Sequence, residues 1–332
     1  MEIFLIGVSA LEYWLNGTDK YYYLSYDKIT PKPNFIFKKI EKIAKNLAKE
    51  YGLSLPIQCM AAQHSCRRNN TAFRISPFIN HLPESSFVRL NDRADNLNVF
   101  VACPELAFIQ AARYFSLPVT VLLGCMLCAM YVCEKSYPLG QVDRIPITNK
   151  KKILQYLKKA EGIHGIKRAR RAVTYISDNC NSPMEVSLAT IAALPISEGG
   201  YAMKPFQMNE TIQLKKKGAL LLGREECRCD MAWVDERLVV EYESNLIHID
   251  KNQHIYDNRR LTSITSSGYC VVKITSKNVA SLSNLDDIFF LIRKILGQRP
   301  LTTKFKNTEE LRREVYKEVF FNDVLELLKM QK

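Results

Sequence analysis

The stretch CDMAWVDERLVVEYESNLIHIDKNQHIYDNRRLTSITSSGYCVVKIT, residues 229–275, decides how the chain is read. A short apolar strand, expected over 228–234, carries Asp230. A second, expected over 237–243, carries Glu241 and Glu243. Their spacing of two puts both carboxylates on one face of the strand. His248 follows, then a helix over 250–267 with Asp257 and Arg260, closed by Gly268, and a last apolar strand over 269–275. Apolar strands holding three carboxylates need a partner for the charge, because an unpaired buried charge is costly. The usual partner of such an oxygen-rich cluster is a divalent cation. In a basic protein, metal-bound carboxylates point to phosphodiester chemistry.

The rest of the chain fits that direction. Its 332 residues are enough for about two domains, and a hydrophobic share of 47% supplies a core. Lys and Arg outnumber Asp and Glu by 47 to 34, a formal charge of +13. That surplus favours a polyanionic partner, most simply nucleic acid, and DNA first. A basic protein from a lysine-rich proteome is the bland alternative. The apolar run over 117–132 contains Pro118 and Gly124. It is shorter than the ~20 residues a membrane span needs, so it reads as a buried helix and no membrane is expected. The opening MEIFLIGVSALEYWL has no basic lead and no cleavage site. With ten scattered cysteines, this suggests reduced thiols in the cytoplasm. Cys125, Cys128 and Cys133, like Cys227 and Cys229, read as packing residues rather than zinc ligands, since neither group has the four ligands on turns that zinc takes.

Pattern divides the chain into an N-terminal α+β domain over 1–140, a basic helical connector over 141–181, an α/β domain over 182–300 and a C-terminal helix over 301–332. In the first, Ser9 and Glu12 make a capping box for a helix over 9–16. Ile40, Ile43, Ala44, Leu47 and Ala48 form a helical stripe over 38–51. Strands are expected over 86–90 and 98–102, and a helix over 103–117 with Pro104 at its start. Pro138, Gly140 and Pro146 mark a linker. Nine lysines and arginines between Lys150 and Arg171 face a single acid, Glu161. They form either a track for a phosphate backbone or two solvated helices. From Ser182 the order is helix, strands, helix, strand, helix, which describes a mixed sheet flanked by helices.

These residues resemble the PD-(D/E)xK nuclease superfamily, in the branch related to very-short-patch-repair endonucleases. The likeness rests on Asp230, VVEYES at 239–244, His248, YDNRR at 256–260 and GYCVVKIT at 268–275, and covers about 182–296. Two departures stand out. Position 243 is Glu where the superfamily usually has Lys, and the His lies one residue further along. VSALEYW and the CPELA helix are loosely similar to abortive-infection antitoxin regulators of the AbiEi type.

The resemblance implies a restriction-endonuclease-like fold and a metal-dependent endonuclease that uses Mg²⁺ or Mn²⁺, in genome defence or repair. Asp230 and Glu241 are then metal ligands. Glu243 is a third ligand or the base in the missing lysine's place. His248 is a proton donor or phosphate ligand, and Arg260 orients a carboxylate or phosphate. Glu185 is either a further acid of the metal shell or simply half of a capping box with Ser182. The alternatives are a nucleic-acid-binding regulator on a degenerate nuclease scaffold, and a protein-interaction module of a toxin–antitoxin pair. A protein partner or a homodimer is left open.

Overall fold

In a computed structural model the described residues are 2–16, 40–61, 68–77, 82–90, 97–133, 141–243, 251–300, 308–320 and 323–332. The chain forms two compact units, one of Met1–Ile176 with Asn322–Lys332 and one of Ser177–Phe321. The basic segment is thus part of the first unit.

The first unit runs β1 (Glu2–Leu5), α1 (Gly7–Leu15), α2 (Ile40–Tyr51), β2 (Ile57–Ala61), β3 (Arg68–Asn69), β4 (Phe73–Pro77), β5 (Phe87–Arg89) and β6 (Asn98–Ala102). Then come α3 (Pro104–Ala111), α4 (Leu117–Leu127), β7 (Tyr131–Cys133), β8 (Gln141–Asp143), α5 (Lys150–Lys159) and α6 (Ile166–Ala172). Strands β1 to β6 form a mixed sheet of order β3-β4-β2-β1-β6-β5. β1 pairs in parallel with β6 and antiparallel with β2. Apolar side chains fill the sheet, with Phe4 stacked on Phe100 at 4.7 Å and edge-on to Phe87 at 5.2 Å.

The expected capping box of α1 does not form. Ile6 is the N-cap and makes no side-chain cap bond, and Ser9 lies inside the helix. Gln110 and Gln58 take the first N–H groups instead, accepting from Gly7 at 2.8 Å and from Val8 at 2.9 Å. Gly7 has φ +57°, and a Cβ there would collide with the Gln58 amide. Distant glutamines therefore do what a local cap usually does, which a four-residue motif cannot reveal. Helix α3 ends at Ala111, and α4 starts afresh at Leu117 with Ser116 as its cap, accepting the Val119 N–H at 3.3 Å. The run expected as a buried helix is α4, and no described helix is long and apolar enough to cross a membrane. Part of the expected linker lies outside the described residues, and Gln141–Asp143 is a strand paired with β7.

The second unit contains α7 (Pro183–Ala193), β9 (Gln207–Gln213), α8 (Lys216–Leu222), β10 (Glu226–Trp233), β11 (Leu238–Glu243), α9 (Lys251–Ser266), β12 (Cys270–Thr275), α10 (Ser276–Val279), α11 (Leu282–Ile295) and α12 (Thr308–Phe320). Its sheet has the order β12-β11-β10-β9. β9, β10 and β11 are antiparallel neighbours, and β12 lies parallel to β11. Both main sheets are therefore mixed and carry helices. α8 packs on α9 through Gly218, where a Cβ would come within 2.5 Å of the Ser263 carbonyl. Beneath α9, Ile212, Cys227, Cys229, Val239, Ile264 and Tyr269 form one buried cluster.

The tail is two helices rather than one. Asp323 accepts the Glu326 N–H at 3.4 Å and so caps a new helix, α13 (Val324–Met330), which belongs to the first unit.

Candidate active site in the second unit

Asp230 sits where the sheet is locally broken. β10 pairs with β9 over Glu226–Cys229 and again at Met231 and Ala232, but the ladder skips Asp230 and Asn209. Asn209 has φ +51°, a left-handed conformation that Asn tolerates better than most residues. Pairing with β11 runs from Trp233 and Leu238 only as far as Met231 and Val240. One step beyond, the Asp230 carboxylate accepts the Tyr242 N–H at 2.7 Å in place of a ladder bond. Burial raises the Asp230 carboxyl above its ordinary range, against the opposing pull of the Tyr242 N–H, Arg260 and Arg228.

Glu185 comes from the first turn of α7. Its N–H donates to Ser182 at 3.2 Å, so the cap read from sequence is present. Its carboxylate does more than cap. It accepts the Asn181 N–H at 2.8 Å and the side-chain amide of Asn209. Asn209 in turn accepts from Arg228 at 2.8 Å. Glu185 is 7% exposed, and burial followed by the Asp230 charge pushes its carboxyl up to about 7.

Glu241 is 6% exposed on β11. Arg260 reaches it from α9, one nitrogen donating to the two carboxylate oxygens at 3.0 and 2.9 Å and to the Arg228 carbonyl at 2.6 Å. Even beside that guanidinium, burial and then the Asp230 charge hold the Glu241 carboxyl up at about 7. Asp230 therefore acts electrostatically on both glutamates, one from a helix and one from the neighbouring strand.

Glu243 has a different setting. It pairs with Lys273 on β12 at 3.2 Å, and the two side chains are 40% and 41% exposed. Lys273 itself stands opposite Glu241 in the β11–β12 register. His248 lies outside the described residues. Among the described residues, no three His, Cys, Asp or Glu side chains are arranged to hold a metal ion.

Sequence reasoning missed Asn209, the link between Glu185 and β10. A polar residue in the strand QMNETIQ carries no signal of its own, and only its left-handed backbone marks it. Cys227 and Cys229 pack beneath α9, as a packing role requires. A hydrogen bond from Cys229 brings the Cys227 thiol down to about 6, and Arg260 and Arg224 act in the same direction.

In the first unit, much of the basic block serves the fold. Arg168 donates to the Ala112 carbonyl at 3.0 Å and to that of Phe115, beyond the end of α3. Arg170 donates to the Leu157 and Ala160 carbonyls at the end of α5, both at 3.2 Å. Such bonds satisfy the carbonyls that a helix end leaves without partners. Lys158, Lys159 and Lys167 stay exposed.

No protein-family model matches the chain, and neither the curated proteins nor the solved structures contain a match.

Proposed function

We propose that the second unit is a metal-dependent nuclease domain of the PD-(D/E)xK type, acting on phosphodiester bonds of nucleic acid, DNA first. The observation that carries this reading is the group Glu185, Asp230 and Glu241. Two of the acids are held up at about 7, first by burial and then by the charge of the third, even with Arg260 beside Glu241. A helix, a sheet of three antiparallel strands with the short α8 between the first two, then a helix and a parallel strand, is the order that supports a restriction-endonuclease-like arrangement.

The donor chemistry suits a hard divalent cation, because every candidate atom is a carboxylate oxygen, but the described side chains are not arranged around one ion. Glu185, Asp230 and Glu241 would have to turn toward a common point to hold Mg²⁺ or Mn²⁺. When bound, the ion supplies an activated water and neutralises charge on the phosphoryl group. The protein's own residues do the positioning. Arg260 fixes the Glu241 carboxylate, Asn209 fixes that of Glu185, and the Tyr242 N–H fixes that of Asp230. Lys273, beside Glu241 in register, supplies the cation that β11 lacks, and Glu243 stands at the rim as a proton acceptor.

A second reading, a nucleic-acid-binding regulator on a degenerate nuclease scaffold, is favoured by the ion pairs themselves. Arg260 takes both oxygens of Glu241, and Lys273 takes Glu243. The deciding experiment incubates the purified protein with plasmid, single-stranded DNA and RNA, in Mg²⁺, in Mn²⁺ and in EDTA. Cleavage that EDTA abolishes supports the nuclease. Binding without cleavage in any of these supports the regulator.

A further inference from the structure

Helices α11 and α12 wall a cleft of about 460 Å³ in the second unit, and its lining residues are not those of the acidic group. α11 contributes Asp286 and Phe290, one turn apart. α12 contributes Glu309, Arg313 and Lys317, each one turn from the next, with Arg312 beside them. Arg312 is 6% exposed, whereas Phe290, Glu309, Arg313 and Lys317 are open to solvent. The Arg312 guanidinium lies 4.8 Å from the Tyr201 ring and 5.7 Å from that of Phe290, and it donates to Asp286 at 3.2 Å. Tyr201 donates to the same carboxylate oxygen at 2.6 Å. Among the described residues this is the one ion pair of the cleft, so Arg313 and Lys317 stand there without an acid.

The charge next to Arg312 is also out of balance. Arg293 is 7% exposed and donates to the carbonyls of Tyr201, Ala202 and Arg299. Burial and then the Arg312 charge lower its guanidinium below the ordinary value. Both arginines have a buried Nε without a partner. Among the described residues, these two neighbouring guanidiniums have a single carboxylate between them, Asp286. A buried acid can relieve such an imbalance by taking up a proton, but a guanidinium stays charged. An anion from solution is what offsets it.

We propose that this cleft binds a nucleoside monophosphate, with the phosphate on Arg313 and Lys317, the base against Phe290 and ribose hydroxyls donating to Glu309. Four cations and two acids in and beside the cleft leave a surplus that matches the roughly two charges of a phosphate monoester. The guanidinium fork suits phosphate oxygens, and an exposed aromatic face stacks a base of any kind. The volume is in the range of small-molecule sites.

The test titrates the full chain by calorimetry, in EDTA, with AMP, GMP, CMP and UMP, with the four nucleosides and with inorganic phosphate. At least one monophosphate should bind about tenfold or more tightly than its nucleoside and than phosphate. Arg313→Ala/Lys317→Ala changes only exposed side chains, so the free protein should melt as wild type does. Its affinity for that monophosphate should fall about tenfold or more. Phe290→Leu keeps an apolar side chain over Tyr201 and should weaken the nucleotide about fivefold or more. Glu241→Gln should bind it as wild type does.

The proposal is overturned if no monophosphate binds, if inorganic phosphate binds as tightly as every nucleotide, or if the folded double variant binds like wild type. Binding lost in Glu241→Gln but kept in the double variant puts the nucleotide in the acidic site and also overturns it. Monophosphate binding in a chain that cleaves no nucleic acid leaves the cleft standing while the nuclease reading falls.

Discussion

Glu12 in the first unit and Glu241 in the second are similarly hidden, 2% and 6% exposed, and each meets a basic side chain, Lys332 and Arg260 respectively. Their surroundings differ. Glu12 also accepts the Ser54 N–H at 2.9 Å, and Lys332 donates to the Ser54 carbonyl at 2.8 Å, so acid, base and backbone close on one another. Glu241 shares its neighbourhood with Asp230, which also acts on Glu185. A buried acid that serves the fold is matched one to one. Buried acids without such a match hold protons more tightly, and these would be given up to a cation only if one bound.

The sharpest way to break this comparison is to neutralise each acid in turn. Glu241→Gln keeps the size and part of the hydrogen bonding to Arg260 but loses a charge from the acidic group. If the group binds metal, cleavage should fall by at least about a hundredfold, because metal activation lowers the barrier by several kcal/mol. Nucleic-acid binding in EDTA should persist or strengthen. A variant that cleaves at the wild-type rate would remove Glu241 from the chemistry.

Glu12→Gln should act on stability instead. It leaves the Lys332 ammonium buried without its counter-charge, a loss on the order of 3–5 kcal/mol for a broken buried pair. Urea unfolding measures this, with cleavage per folded molecule unchanged. If Glu12→Gln is neutral while Glu241→Gln unfolds the protein, the assignment of fold and function to the two acids is reversed.

A third, smaller effect comes from pH. Glu185 and Glu241 titrate at about 7 in the folded chain against an ordinary value of 4.5. Between those values the folded state holds protons that the unfolded chain has released. The stability present below 4.5 is therefore lost as pH rises through about 7. Without divalent cations the melting temperature should fall between about pH 5 and about pH 8 through these groups. Mg²⁺ competes with the protons, so its stabilisation should be larger at the alkaline end. Glu241→Gln should shrink both trends. A melting temperature that Mg²⁺ leaves unmoved at alkaline pH argues for the scaffold reading.

The second unit was the more legible of the two from sequence. Its strands alternate apolar residues between short turns, and its helix over 250–267 ends at a glycine, so β10, β11, α9 and β12 fall within a residue or two of expectation. The resemblance implied a carboxylate or a phosphate for Arg260, and its partner is the carboxylate of Glu241. What stayed hidden depends on distance along the chain. Asn209 reaches Glu185 across 24 residues, and Gln110 caps α1 across 103. In the first unit β2 and β4 are parallel neighbours, and their partnership leaves no local pattern. Arg168 and Arg170 read as phosphate contacts or as solvated residues, because their carbonyl partners lie at the ends of α3 and α5 and leave no local pattern.

The smallest predicted effect on stability concerns Glu243. Its pair with Lys273 is about 40% exposed on both sides, and exposed pairs contribute roughly 0–1 kcal/mol. Glu243→Gln should therefore shift urea unfolding by less than about 1 kcal/mol. That near-neutrality makes it a clean probe of chemistry. If Glu243 only anchors Lys273, Glu243→Gln should retain most of the metal-dependent cleavage, while Lys273→Met should remove most of it. If Glu243 is itself a ligand or base, Glu243→Gln should be as inactive as Glu241→Gln. Glu243→Lys separates these further. It puts a second cation beside Lys273, and the like charges repel in the half-exposed setting. Activity kept in Glu243→Lys means that a cation at this edge is what the reaction needs, whichever strand provides it. Activity lost in Glu243→Lys but kept in Glu243→Gln means that the acid's task is to hold Lys273 in register beside Glu241.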